Sequence, residues 1–322
     1  MSGFLVRRLV LAALVLAVFS FVSFLILSHL QPTNGIPVLT QYWTWLRGVP
    51  TGRSLHTLLH GTPSRPAVVI ALGHTLVLLA VAMVLVVVLS IALATSSARW
   101  RGSAVDVGIR GVSYLGWAVP AFLLALVVQQ VVSSVGNAHG LGPFPVAGWP
   151  GSCPAAIGQN YGTLTPCASA GTGAVYVGNV LRYVTLPAIV LAVGFVGLHG
   201  RYLRSSLLEV LDAPFVTTAR AKGLSERTVI RRHALRASMA TFAGALLADF
   251  GVVFGAALAV DWVFQFGGLG TLYINEFNSS TGFFDLYSVE ALVLVTAVLV
   301  LVSALLGELS VYLLDPRVRA QR

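Results

Sequence analysis

Charge is scarce in this sequence. Only 10% of its 322 residues are Asp, Glu, Lys or Arg, 57% are hydrophobic, and the mean hydropathy is +0.86. Soluble domains carry about 25% charged residues, so a soluble enzyme or scaffold is excluded. Cysteine is rarer still, at two residues, which excludes a disulfide-built scaffold. No G-x-x-x-x-G-K loop is present to cradle nucleotide phosphates. None of the seven histidines (His29, His56, His60, His74, His139, His199, His233) pairs with Cys, Asp or Glu at metal-ligand spacing. His56 and His60, four apart, share a helix face but lack a third ligand, so no metal site is expected. His74 and Ser90 occupy one apolar run, too far apart for a nucleophile and its base. No catalytic residue is assigned, and no internal repeat is visible.

Apolar runs are what the chain has. Six are long enough to cross a bilayer, which takes about 20 residues: near 4–27, 67–95, 112–135, 180–199, 240–264 and 289–314. The fourth is short, and the fifth carries Asp249 and several glycines. Arg7-Arg8 precede the first run as they would a signal peptide, but the run is too long and no A-x-A-like site follows, so it reads as an anchor. Six spans put both termini on one side. Arg7, Arg8, Arg99, Arg101, Arg110, Arg201, Arg204, Arg220, Lys222, Arg227, Arg231, Arg232, Arg236, Arg317, Arg319 and Arg322 fall on that side, 16 of the 20 Lys and Arg. Arg47, Arg53, Arg65 and Arg182 fall on the other. The positive-inside rule makes the first side cytosolic. The net charge of +9 therefore reports topology, and no nucleic-acid partner is implied.

Two loops face outward. Residues 28–66 carry Tyr42, Trp43 and Trp45, suited to an interfacial helix with its rings at headgroup level. Residues 136–179 are rich in Gly, Pro, Ser and Thr and read as irregular surface. Both cysteines, Cys153 and Cys167, lie in this second loop, where an oxidised pair would persist, so a disulfide is expected. Inside the fifth run Asp249 has two readings: an ionised residue lining a pathway or gate, or a neutral acid bonded to a neighbouring helix. Gly244, Ala248, Gly251 and Gly255 recur on the same run at a spacing that permits close helix packing, against this chain or another.

The one long, charged, helix-patterned interruption is 207–238. Asp212 and Pro214 read as a helix start, with Asp able to cap and Pro fitting the first turn. The helix runs through Thr217, Thr218, Ala219, Arg220 and Ala221 to Lys222, and Gly223 supplies the left-handed residue that ends it. Ser225 then caps a second helix with Glu226 in its first turn. The pattern predicts two short helices joined at a glycine corner.

The stretch TTARAKGLSERTVIRRHAL resembles the cytosolic loop of the membrane subunits of binding-protein-dependent ABC importers, in the dipeptide, oligopeptide and nickel branch. Arg7-Arg8, Trp45-Leu46-Arg47-Gly48, Gly268-Leu269-Gly270 and Asp315-Pro316-Arg317-Val318-Arg319 extend the resemblance over nearly the whole chain. It implies an all-α integral membrane protein of the type I importer fold in the bacterial inner membrane, with six transmembrane helices and both termini cytosolic. The first helix and external loop would span 1–66, the core 67–314 with cytosolic loop 205–238 and external loop 136–179, and a tail 315–322. The resemblance also implies a non-catalytic permease for di- or oligopeptides, with nickel chelates or oligosaccharides as alternatives. Its implied partners are a second homologous permease, two ATPase subunits carrying ATP and Mg, and an extracytoplasmic binding protein. Residues Asp212, Ala213, Pro214, Thr217, Thr218, Ala219, Arg220, Ala221, Lys222, Gly223 and Leu224 would meet an ATPase. Departures lie on the external face. Asp261 stands where the branch usually has Glu, and Gly267 or Gly268 where it has Pro. Gln31-Pro32-Thr33-Asn34-Gly35 and Gly48-Val49-Pro50 replace its usual acidic turns. A transporter working without ATPase partners would be expected to show inverted repeats and broken helices with several midplane charges, and neither is expected of this sequence.

Overall fold

The computed structural model describes residues 2–30, 35–49, 64–139, 144–151, 171–277 and 286–314. Among them every regular element is helical: α1 (Ser2–Leu30), α2 (Val38–Gly48), α3 (Ser64–Arg99), α4 (Ala104–Ala118), α5 (Ala121–His139), α6 (Gly173–Leu211), α7 (Pro214–Ala221), α8 (Glu226–Thr228), α9 (Leu235–Ala248), α10 (Phe250–Phe264), α11 (Leu269–Phe277) and α12 (Leu286–Leu314). Four segments are single helices long and apolar enough to cross a membrane: Val6–Leu30, Ala67–Arg99, Gly173–Leu211 and Leu286–Gly307. The third and fifth runs are bent pairs, Ala104–Ala118 with Ala121–Val135 at 95° and Glu226–Ala248 with Phe250–Phe264 at 51°. Counting each pair as one span gives the expected six.

The bends correct the expectation that no helix is broken. Pro120 drives Val119 out of the helical region to φ −87°, ψ 119°, as the ring of a proline does to its predecessor. The Pro120 carbonyl then accepts the first bonds of α5, from Leu123 and Leu124. Hydropathy averages across such a corner and cannot show it. The fourth run, expected to be short, is the longest helix, at 39 residues. Its polar ends lower the hydropathy without interrupting the backbone ladder, and Pro187 is accommodated inside it.

The described chain divides into two compact units, each with its own core. In the first (1–76, 147–180 and 261–302), Phe24, Tyr42, Trp45 and Ala291 form a buried cluster. Tyr42 and Trp45, three apart on α2, share its inner face. Tyr42 Oη donates to Ser20 Oγ at 3.4 Å, and the Trp45 indole N–H donates to the Tyr287 carbonyl at 3.2 Å. Of the three rings expected at headgroup level only Trp43 is exposed, because it points about 100° away from that face. The glycine motif after α10 is built around Asp261. Its carboxylate accepts from the N–H groups of Gly268 and Thr271 at 3.0 and 3.1 Å and so caps α11, while Thr75 Oγ1 accepts from Leu269 N–H at 2.8 Å. A Cβ on Gly268 would lie 2.5 Å from Thr75 Oγ1, so only glycine fits there.

In the second unit (77–146, 181–260 and 303–322), α4 and α6 touch backbone to backbone. A Cβ built on Gly197 would stand 2.3 Å from the Ser113 carbonyl oxygen, and one on Gly116 would stand 3.1 Å from that of Val193. Trp117 closes the crossing edge-on to Phe195, with ring centroids 5.7 Å apart.

Candidate functional site

The loop after α6 begins with a correction. Asp212 does not cap α7. Ala213 occupies the cap position at φ −75°, ψ 147°, with no side-chain cap bond, and Pro214 is the first helical residue. A residue preceding proline is pushed to extended backbone, which moves the cap one place along and leaves Asp212 exposed behind it. The end of α7 follows the expected chemistry. Gly223 takes φ +77°, its N–H donates to the Arg220 carbonyl at 2.9 Å, and Leu224 N–H reaches back to Ala219 at 3.4 Å. These two bonds are the Schellman pattern and satisfy the last carbonyls of the helix.

The second helix departs from expectation. Ser225 sits at its cap position, but its hydroxyl meets Thr228 Oγ1 at 2.9 Å instead of a backbone N–H. That helix is not a short one. From Glu226 the chain continues through a π-helical turn, Val229–Ala234, into α9. The wider turn brings Val229, Ile230 and Ala234 to the inner side while Arg231 and Arg232 stay exposed.

These inner residues hold α7 in place. Val216 and Ala219 are buried with Leu203, Leu207 and Leu211 of α6, Ala94 and Ala98 of α3, and Val229, Ile230 and Phe242. Val216 alone contributes about 1.5–3 kcal/mol by complete burial. Ala219 therefore faces its own chain, whereas Thr217, Thr218, Ala221, Lys222 and Leu224 face outward. Phe215 joins that outer face at 48% exposure, an aromatic absent from the expected site and detectable only as the residue after the helix-starting proline. Arg220 is committed inside the loop. Its guanidinium donates to both carboxylate oxygens of Glu226, at 2.8 and 3.1 Å, and to the Leu211 carbonyl at 3.3 Å. The hydrogen bonds from Arg220 hold the Glu226 carboxyl below its ordinary value, and those to Glu226 raise Arg220, with the Asp212 charge adding to that rise. The stabilisation from a depressed carboxyl is present above its ordinary pKa and is lost as pH falls through the depressed value. Because both side chains are exposed, it amounts to about 0.2–1 kcal/mol.

Asp249 lies at the break between α9 and α10, at φ −83°, ψ 0°, rather than in mid-helix. Its Oδ2 is 3.4 Å from Nε2 of His199, a fully buried residue 50 positions earlier that spacing rules could not pair with it. His199 Nδ1 lies 3.0 Å from the Phe195 carbonyl. The small-residue stripe is also reshaped. The bend leaves Gly244 and Ala248 on α9 and Gly251 and Gly255 on α10, Ala248 is exposed, and a Cβ on Gly255 would meet nothing within 4 Å. A close approach to α9 comes from Gly307 of α12, whose Cβ would lie 3.0 Å from Leu247 Cβ. Cys153, Cys167, His56 and His60 lie outside the described residues. Among the described residues no group of three His, Cys, Asp or Glu side chains is placed to hold a metal.

Several apolar helices long enough to cross a membrane define a multi-pass helical membrane protein. Residues 86–320 match the binding-protein-dependent transport system inner membrane component family. The chain belongs to that family, and is a multi-pass permease of the bacterial inner membrane. It is 30% identical over 88% of its length to a protein of Brucella suis biovar 1 named as a peptide permease, covering 80% of that relative. It is 28% identical over 88% of its length to the oligopeptide transport system permease protein AppB of Bacillus subtilis, covering 81% of it. The metal-staphylopine import system permease protein CntB of Staphylococcus aureus is 25% identical, with 99% of each chain covered. A solved structure of the MetNI methionine ABC transporter in inward-facing conformations shares the fold, with TM-score 0.56 and 14% identity over 79% of this chain and 98% of that one.

Proposed function

We propose that this chain is one of two membrane subunits of an ATP-driven peptide importer. It forms the translocation pathway with a second, homologous permease and couples through α7 to ATPase subunits that carry ATP and Mg. An extracytoplasmic binding protein delivers the peptide, both termini lie in the cytosol, and no chemistry occurs on this chain. The observation that carries the reading is the two-faced geometry of α7. Its inner face is packed into the chain's own core, and its outer face leaves Phe215, Thr217, Thr218 and Ala221 exposed, with Leu224 exposed just beyond its end. Peptide is the cargo favoured by the relatives named as peptide permeases, and CntB supports metal chelates as the second reading.

Co-purification tests the assembly: two ATPases and a second permease should accompany the chain. Gly223→Val tests the coupling. Space around Gly223 is open, so the penalty is conformational. A side chain at φ +77° costs about 1–2 kcal/mol, which shifts the loop's equilibrium by a factor of about 5–30. Uptake should fall in the assembled complex, and unchanged uptake with unchanged ATPase assembly sinks the proposed role of α7. The exported pair Cys153 and Cys167 should resist thiol labelling until reduced, with a bridge worth about 3 kcal/mol for a loop of this size. Ready reaction of both thiols without reductant removes the bridge.

A further inference from the structure

A second polar cluster lies beside the core that holds α7. Asp106, in the first turn of α4, is 1% exposed, and both its carboxylate oxygens are engaged. Oδ1 accepts from the Ser97 hydroxyl at the end of α3 and from Arg204 Nε at 3.0 Å. Oδ2 accepts from Gly102 N–H at 3.1 Å and Arg204 Nη2 at 2.9 Å. Arg204 Nε also reaches Ser97 Oγ at 2.7 Å. Arg110 approaches from the exposed side, 3.6 Å from Oδ1. The guanidinium grips the carboxylate with two parallel bonds, which fix orientation as well as distance.

Position gives this cluster its meaning. Arg204 follows Leu203 and precedes Leu207 on α6, and both leucines belong to the core that buries Val216 and Ala219 of α7. Ala94 and Ala98 of α3, on either side of Ser97, belong to the same core. The α3–α4 corner is thus tied to α6 by the ion pair and to α7 by apolar packing, one layer apart. Apolar contacts slide at little cost, but a bidentate ion pair out of water keeps one registry.

We propose that Asp106 and Arg204 are positioning residues for transport. Their ion pair makes the α3–α4 corner, α6 and the loop helix move as one body, so that displacement at the outer face of α7 reaches the spans. The inference rests on the reading that α7 meets an ATPase, and it adds the link by which that contact is transmitted.

The test uses the complete importer, reconstituted in vesicles with its ATPases and binding protein, and measures trialanine uptake and ATP hydrolysis on the same preparation. Stimulated hydrolysis and uptake by the natural complex is the control for the reading itself, and its absence overturns both together. With the control in place, assembled Asp106→Asn and Arg204→Gln should each hydrolyse ATP while uptake per ATP falls about fivefold or more. The double variant should be no worse than either, because the same link is removed once. Arg110→Gln, which removes the outer contacts to the carboxylate and main-chain carbonyl of Asp106 and leaves the Arg204 pair in place, should keep the natural ratio. A role in stability alone would lower hydrolysis and uptake in proportion. An unchanged ratio in the assembled variants overturns the inference. So does failure of both single variants and the double to assemble, which assigns the network to folding.

Discussion

Gly197→Ala should destabilise the packing of the second unit, whereas Gly200→Ala, three residues further along the same helix, should be tolerated. Both residues lie within α6, where alanine is intrinsically better than glycine by about 1 kcal/mol. What separates them is the neighbouring helix. The added methyl at 197 would stand 2.3 Å from the Ser113 carbonyl oxygen, while carbon–oxygen contacts between packed helices settle at about 3.3–3.6 Å. Neither atom is the end of a flexible side chain, so α4 or α6 must shift. Overpacking of this kind costs about 1–3 kcal/mol and sometimes more, against a propensity gain smaller than that. At 200 the nearest neighbour, Ser90 Cα, would be 3.9 Å away, an ordinary contact, and the propensity gain is kept. Thermal melting and recovery of monodisperse protein in detergent measure both. Equal behaviour of the two variants would mean that α4 and α6 do not cross here.

Asp249→Asn should assemble normally and change uptake or basal ATPase. The expectation follows from the proton count around His199. The Phe195 carbonyl can only accept, so His199 Nδ1 carries a proton and donates to it. Nε2 then faces Asp249 Oδ2 at 3.4 Å, and two lone pairs cannot face each other at that distance without repulsion. The carboxylate thus stands beside a buried ring nitrogen that has no hydrogen bond of its own. Asn has the same size and offers an amide donor to that nitrogen, while the carboxylate charge is gone. Asp249→Ala removes the partner as well and should cost about 1–3 kcal/mol in stability. Comparing the two separates packing from function: Ala loses folded complex, and Asn loses transport with the complex intact. Natural uptake and ATPase in assembled Asp249→Asn would assign the residue to packing and refute a role at the pathway or gate.

Helical class, membrane insertion, the loop helix and its glycine stop were all legible along the chain, because each depends on residues close together in sequence. A run of apolar side chains meets its solvent whatever the rest of the fold does. Pro214 and Gly223 bias the backbone locally, and α7 begins and ends beside them. Where two local signals compete within a residue or two, as Asp212 and the residue preceding Pro214 do, the backbone restriction of proline outranks a side-chain bond that forms only after the helix exists. The corner at Val119-Pro120 was equally local, but a hydropathy window averages over a single proline.

Partnerships between distant residues belonged to the tertiary structure alone. Asp106 meets Arg204 across 98 positions, and His199 meets Asp249 across 50. Neither spacing carries a signal, because helices pack by the angle and offset of whole faces. The same holds for the glycines. The stripe from Gly244 to Gly255 had the recognised spacing, yet a 51° bend divides it, while Gly116 and Gly197 form the close crossing without any motif. Sequence alone determined the helical class, the apolar runs long enough to cross a membrane, and where the loop helix starts and stops. Only the tertiary structure decided which faces meet and which buried charges are paired, because those depend on distances that packing sets between residues far apart in the chain.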